Sequence, residues 1–300
     1  MKKKVARWIP TLLILCMLCI TNVYPIQAFV SPPIYNEKKL DEQLHTWIKQ
    51  IIQDKQFLAW EHSKWEVKSL GANTHMWIVH IRHQDKDIGY MILAANEQNQ
   101  YTLMEYGNGE HAMFSQHSLE GTLSNIQYDT PAANTFKPWY LDPFHALWVA
   151  DIKDASPMIF DGKTPDRYQH IEKNWEQFKV TTSHVEEPWN VIHEVTQLEQ
   201  IKDGIYQDPY ENIQWMLEEP QQLQDLEQIQ SMIQEKKVLL CKIKILTGNV
   251  NAPLSITGYH QWDNETYLEV EQFGSRFIPF SLLQAYDPEY YIVDSSADQQ

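Results

Sequence analysis

Four short apolar segments separated by polar turns constrain the fold of this chain more than any other feature of its sequence. One of them, HMWIVHIRH (75–83), alternates as a β-strand does, so that Trp77, Val79 and Ile81 lie opposite Met76, Ile78 and His80. The turns at 85–87 (DKD) and 96–99 (NEQN) suit hairpins. The pattern predicts an antiparallel meander with strands at 65–70, 75–83, 88–96 and 101–107.

An amphipathic helix is predicted directly before the meander, over about residues 38–55. Apolar residues recur there at helical spacing and form one face: Leu40, Leu44, Trp47, Ile48, Ile51 and Ile52. A helix followed by an antiparallel meander is typical of a small α+β module.

The N-terminal 28 residues have the pattern of a signal peptide. MKKKVAR is basic, Trp8 to Ile20 is apolar, and Ile26-Gln27-Ala28 is a tolerable cleavage site with a small residue at its end. We therefore expect residues 1–28 to be removed and the protein to be secreted or associated with the cell wall. If the segment is retained, it tethers the protein to the membrane, which is the only membrane contact we expect.

The charge of the exported chain argues against nucleic acid as a partner. Loss of Lys2, Lys3, Lys4 and Arg7 leaves 20 basic and 40 acidic residues, so the formal net charge changes from −16 to −20. A chain this acidic repels phosphate backbones and anionic lipid. A peptide or protein partner in the envelope is the expected alternative.

Cysteine usage indicates the compartment and the kind of organism. Cys16 and Cys19 lie in the signal segment, so the exported chain keeps only Cys241 and can form no internal disulfide. An exported protein without disulfides is more typical of a Gram-positive bacterium than of a eukaryotic secretory pathway. No motif for a cofactor or a metal is present, and we expect neither.

The second half of the chain predicts another α+β unit, over residues 185–296. Residues 163–190 are polar and irregular, with Pro165 and Pro188, and are expected to form the boundary. Helices are predicted within 209–236, separated at Pro220. Strands are predicted at 238–246, 253–260, 266–273 and 289–294, which suggests an antiparallel sheet.

The segment GYMILAANEQNQYTLMEYGNG (89–109) resembles the PepSY-like and streptopain-type propeptide modules of secreted bacterial peptidases. In such modules a Gly-Tyr strand runs into a polar turn and a second strand returns. The resemblance implies a propeptide-like module over residues 38–165.

The order of elements in 190–294, and NVNAPLSITGYHQW (249–262) in particular, resembles the papain-like fold of C39-type cysteine peptidases. The resemblance implies positions for the reactive groups. The oxyanion glutamine falls at Gln197, the nucleophile at Ile205, the histidine at Ala252 and the orienting acid near Glu271. Isoleucine and alanine can neither attack a carbonyl nor relay a proton. The resemblance therefore implies a pseudo-peptidase, a degenerate enzyme that binds a peptide or protein without cleaving it.

Two other functions remain open from the sequence. Cys241 and His260 could form a different catalytic dyad in an active thiol peptidase, although a cysteine within a strand is commonly inert and His260 could simply cap a strand at the surface. A membrane-tethered envelope assembly or signalling factor is the other possibility, if the N-terminal segment is retained.

Overall fold

The computed structural model describes residues 37–293 except 71–74, 97–99, 127–130, 184–190, 212, 222, 224, 247, 249 and 273. The predicted signal peptide lies outside the described residues. Helix α1 occupies Glu37–Ile51, and its predicted apolar face is buried: Leu40, Leu44, Trp47, Ile48 and Ile51. A 3-10 helix, Lys55–His62, follows and is capped by the Asp54 side chain, which accepts from the Gln56 amide.

The predicted meander is present and all four of its strands are antiparallel neighbours: β1 (Lys64–Ser69), β2 (Met76–His83), β3 (Lys86–Ala95) and β4 (Tyr101–Asn108). Trp77, Val79 and Ile81 pack with α1, while Met76 and Ile78 pack on the opposite face, as their alternation predicts. Both faces of β2 are therefore covered, which explains why the side chains on each face of this strand are mostly apolar.

The C-terminal half adds the remaining strands of the same sheet. Its elements are β8 (Leu198–Asp203), α5 (Leu226–Gln234), β9 (Val238–Ile245), β10 (Val250–Trp262), β11 (Thr266–Glu271), β12 (Ser275–Pro279), α6 (Phe280–Gln284) and β13 (Glu289–Val293). The sheet has ten strands in the order β1-β2-β3-β4-β12-β11-β10-β9-β13, and β8 pairs with the second half of β10. The fold is mixed α+β.

The two predicted modules share this sheet through one pair of strands. Arg276 and Phe277 of β12 pair with Gly107 and Tyr106 of β4. A side chain at Gly107 would place its Cβ 2.7 Å from the carbonyl oxygen of Ser275, so this close approach requires glycine. The sheet and its core are continuous from the first module to the second.

A smaller layer covers the second face of the sheet. It consists of α2 (Gln116–Asn125), the three-stranded sheet β5 (Lys137–Tyr140), β6 (Ala146–Ala150) and β7 (Met158–Asp161), and helices α3 (Gln169–Lys173) and α4 (Trp175–Ser183). The expectation that 163–190 is irregular is wrong for 169–183. These helices form because Ile171, Trp175 and Phe178 bury apolar side chains against the main sheet.

The helices predicted within 209–236 are shorter than the sequence suggested. The first is a single 3-10 turn, Ile213–Leu217, and only α5 is α-helical. After the 3-10 turn, the backbone N–H of Gln221 donates to the Tyr290 carbonyl and forms an isolated bridge at the edge of the sheet. None of the helices in the described part of the chain is both long and apolar enough to cross a membrane.

Candidate functional site

The positions implied by the peptidase resemblance do not come together in one site. Ile205 follows β8 in a loop and heads no helix, and its side chain packs against the cluster that contains Leu240 and Tyr291. Ala252 packs with the cluster that contains Cys241. Because Leu240 and Cys241 are consecutive residues of one strand, these two clusters lie on opposite faces of the sheet. Ile205 and Ala252 are therefore separated by the sheet, and the expected pairing of the two positions is wrong.

Gln197 and Glu271 lie at different ends of β10. The Gln197 carbonyl accepts from the backbone amide of Asp263, just beyond the end of that strand. Asp263 is eleven residues beyond Ala252, about 35 Å along an extended strand. Glu271 lies opposite Ser255, and its carboxylate accepts from the Gly274 amide at 2.8 Å. Gln197 therefore cannot serve as an oxyanion donor for the other three positions, and Glu271 holds a turn.

Cys241 and His260 do not form a dyad. Cys241 is fully buried on β9 and lies opposite Leu254, and burial raises the pKa of its thiol above the ordinary value. His260 lies six residues further along β10 than Leu254, a separation of about 20 Å. The thiol is inert and out of reach of the imidazole, which excludes the thiol peptidase built on this pair.

His260 is a core residue and not a surface cap. It is 1% exposed, its Nε2 lies 3.0 Å from Asp54 Oδ2, and its Nδ1 lies 2.7 Å from Tyr106 Oη. Trp262 Nε1 donates to the same hydroxyl at 3.3 Å. Burial raises the pKa of Asp54, but hydrogen bonds from His260 and Gln56 outweigh it and leave that pKa below its ordinary value. Both imidazole nitrogens are occupied, so this network stabilises the fold and offers no free base.

A second buried group, here called the interior polar cluster, lies between β3, β4, β12 and the smaller layer. It consists of Tyr90, Glu105, Tyr140, Lys163 and Arg276, each at least 96% buried. Arg276 donates to Glu105 Oε2 at 2.7 Å and to the Pro143 carbonyl at 2.8 Å. Lys163 donates to the His111 carbonyl, and its Nζ lies 5.5 Å from the centre of the Tyr90 ring. Burial lowers the pKa of Lys163 to about 7.

Several polar atoms of the interior polar cluster have no protein hydrogen bond. They are Tyr90 Oη, Glu105 Oε1, Tyr140 Oη and Arg276 Nε. The Tyr90 hydroxyl lies beside the Arg276 guanidinium, but the contact falls short of hydrogen-bond geometry. Each buried group left unsatisfied costs about 1–3 kcal/mol, and four of them together approach the whole stability of a typical domain.

Next to the cluster, Asp142 orients an imidazole. His145 Nδ1 lies 3.0 Å from Asp142 Oδ2, and the Tyr286 hydroxyl also contacts both side chains. His145 Nε2 is buried without a protein partner. Its ring packs beside Phe178 of α4, with ring centres 6.1 Å apart. The Asp142–His145 pair resembles a base oriented for catalysis, but no nucleophile lies within hydrogen-bond distance of His145 Nε2 among the described residues.

The main exposed feature is an acidic tyrosine surface formed by the described residues of 205–219, that is 205–211 and 213–219. Seven large apolar residues are exposed in the described part of the chain, and four of them lie here: Tyr206 is 55% exposed, Tyr210 67%, Ile213 56% and Leu217 88%. Residues 203–220 contain five acids and no lysine, arginine or histidine. Sequence reasoning missed this surface because interleaved apolar and acidic residues also suit an amphipathic helix.

Carboxylates of the same segment, of the end of β11 and of the loop at Asp166 lie near the two tyrosines. Partial burial, and then the charges of Asp208, Glu271 and Glu211, raise the pKa of Tyr206. Partial burial, and then the charges of Asp166 and Asp208, raise the pKa of Tyr210. The acidic tyrosine surface therefore combines exposed rings with negative charge from three separate segments.

The segment that carries this surface is anchored to the fold. Trp215 is 3% exposed, packs edge-on against Tyr291, and donates its Nε1 to the Pro209 carbonyl at 2.9 Å. The backbone N–H of Gln207 donates to Ser255 Oγ at 3.3 Å. The exposed rings are held on a formed backbone, so little order has to be gained when a ligand binds.

An open cleft of about 590 Å³ lies elsewhere, between residues 154–157 and 172–177. Trp175 lines it but is 8% exposed and stacks on Phe178, so its ring offers no free face to a ligand. No group of three or more histidine, cysteine, aspartate or glutamate residues is arranged to hold a metal ion in the described part of the chain.

No family model matches this chain, and no curated protein matches it.

Proposed function

We propose that this protein is a non-catalytic binding protein of the bacterial cell envelope that captures a peptide segment of a partner, one rich in lysine or arginine and in apolar residues. The acidic tyrosine surface is the binding site. The observation that supports the proposal best is the exposure of Tyr206, Tyr210, Ile213 and Leu217 on one anchored segment that carries only negative charge. Exposed apolar patches of this kind mark interaction sites.

The chemistry of the surface favours a basic partner. Tyrosine faces attract ammonium and guanidinium groups by cation–π interactions, and the carboxylates of Asp166, Asp208 and Glu211 can pair with the same cations. Ile213 and Leu217 supply apolar area beside them. The net charge of the chain attracts a basic peptide at long range and increases the association rate.

An envelope location rests on the N-terminal segment, whose basic and apolar pattern is that of an export signal. A non-catalytic role is supported by the separation of Ile205 from Ala252 and of Cys241 from His260. The relation to C39-type peptidases and to propeptide modules is part of the proposal and rests on the sequence patterns alone.

Loss of the two tyrosine rings tests the proposed site. We expect Tyr206→Ser with Tyr210→Ser to raise the Kd for a labelled peptide of alternating lysine and leucine at least about tenfold, because exposed tyrosines at interfaces often dominate affinity. Fluorescence anisotropy measures the Kd. The matched control is Leu58→Ser with Val180→Ser, which removes two exposed apolar residues elsewhere. An equal loss in the control variant would contradict the site.

Neutralising the acids tests the charge of the partner. We expect Asp208→Asn with Glu211→Gln to weaken binding of the same peptide severalfold and to reduce its salt dependence, because two attractive charges are lost. Glu61→Gln with Glu120→Gln is the control, since both residues are exposed and distant in sequence from the surface. If a peptide of alternating glutamate and leucine binds as tightly to the native protein, the basic-partner assignment is wrong.

A further inference from the structure

The interior polar cluster has the hydrogen-bonding groups of a small ligand site. Arg276 Nε can only donate, the hydroxyls of Tyr90 and Tyr140 can donate, and Glu105 Oε1 can accept, and none of the four has a protein partner. Lys163 has only one of its three ammonium hydrogens accounted for by the bond to the His111 carbonyl. Donors therefore outnumber acceptors, and the ligand should be rich in acceptor oxygens.

The carboxylates nearest the cluster are already used elsewhere. Asp161 accepts from the amides of Lys163 and Thr164 and from the Tyr168 hydroxyl. Asp142 accepts from the amides of Phe144 and His145 and contacts the His145 ring. Neither accepts a hydrogen bond from Arg276 Nε or from the Tyr140 hydroxyl. No protein group on the described elements packed around the cluster satisfies those donors.

We propose that the interior polar cluster binds a small oxyanion that carries one hydrogen, of which hydrogencarbonate is the smallest. Its charged oxygens accept from Arg276 Nε and from the hydroxyls of Tyr90 and Tyr140. Its own hydroxyl donates to Glu105 Oε1. The ammonium of Lys163 and the guanidinium of Arg276 supply positive charge beside it. All five side chains are buried, so the ion is expected to enter as the chain folds.

The inference does not depend on the peptide-binding function, because the acidic tyrosine surface and this cluster share no residue. The two proposals can fail separately, since one is measured by peptide affinity and the other by the response of unfolding to dissolved ions.

The experiment is thermal unfolding after the full chain has been unfolded and refolded in one of four salts at equal ionic strength and pH. The salts are sodium chloride, nitrate, hydrogencarbonate and phosphate. We expect Tm to rise with the concentration of hydrogencarbonate, or of phosphate if the site admits it, and not with chloride or with nitrate, which carries no hydrogen. In Tyr140→Phe the concentration of hydrogencarbonate that gives the half-maximal rise should increase about tenfold.

Tyr291→Phe is the matched control, since its hydroxyl bonds to Glu289 at the far edge of the sheet, and it should keep the full response. A Tm that responds equally to all four salts, or to none, overturns the proposal. An unresponsive Tm together with destabilisation by Tyr140→Phe would mean that ordered water alone fills the cluster. A bound ¹³C-hydrogencarbonate resonance that survives dialysis in the native protein, and is lost in Tyr140→Phe, would support the site independently of folding.

Discussion

Arg276→Met should lower the free energy of unfolding by about 3–5 kcal/mol, because it leaves the fully buried Glu105 carboxyl without the partner that offsets its desolvation. The loss is large because Arg276 also donates to the Pro143 carbonyl, which then has to find another donor. Urea unfolding followed by circular dichroism measures the change.

Two controls separate the buried ion pair from the loss of any arginine. Arg82→Met removes a half-exposed arginine that pairs with Glu66 and Asp87 and should cost about 1 kcal/mol or less. Combining Glu105→Leu with Arg276→Met removes both charges and should recover much of the stability lost in the single variant. A single variant as stable as the native protein would contradict the burial of this pair.

His260→Ala should lower the free energy of unfolding by about 3 kcal/mol, because it creates a cavity and removes one hydrogen-bond partner each from the Asp54 carboxylate and the Tyr106 hydroxyl. The network joins the 3-10 helix at residues 55–62 to β10, so hydrogen exchange should accelerate first in that helix. His62→Ala is the control, because that imidazole is exposed and its loss should change stability by less than about 0.5 kcal/mol.

The same network predicts a dependence on pH. The pKa of Asp54 is lower in the folded protein than its ordinary value of 3.8. Its carboxylate therefore contributes fully to the free energy of unfolding above pH 3.8, and this contribution disappears as the pH falls through the pKa of the folded state. Between neutral pH and acid, the native protein should therefore lose more stability than Asp54→Asn does. An Asp54→Asn variant with the same acid response would show that this carboxylate is not held by His260.

Local patterns in the sequence predict much of the fold. The apolar face of α1 and the four strands of the meander follow from periodicity because each is stabilised along its own length by one buried stripe. The pairing of β4 with β12 could not be predicted in this way. It joins Tyr106 to Phe277, and nothing local in either strand specifies a partner so distant in the chain. Helices α3 and α4 were missed because their few apolar residues acquire a burial site only when the main sheet is present.

The site could be predicted less well than the fold. Matching a short strand pattern places residues along the chain but not on a face, and Ala252 and Ile205 lie on opposite faces of one sheet. The position of His260 in the core depends on Asp54, which is remote in sequence. Of the two aromatic residues Tyr210 and Trp215, it is Trp215 that is buried, because it packs against Tyr291. Tyr210 remains exposed.

Hydrogen–deuterium exchange of the protein, with and without a saturating peptide of alternating lysine and leucine, is the most direct measurement of where a basic ligand binds. The proposed function predicts slower exchange in residues 205–219 and in the loops around Asp166 and Glu271, with the rest of the sheet unchanged. Protection confined to the cleft at 154–157 and 172–177, or no protection at any residue, would contradict it.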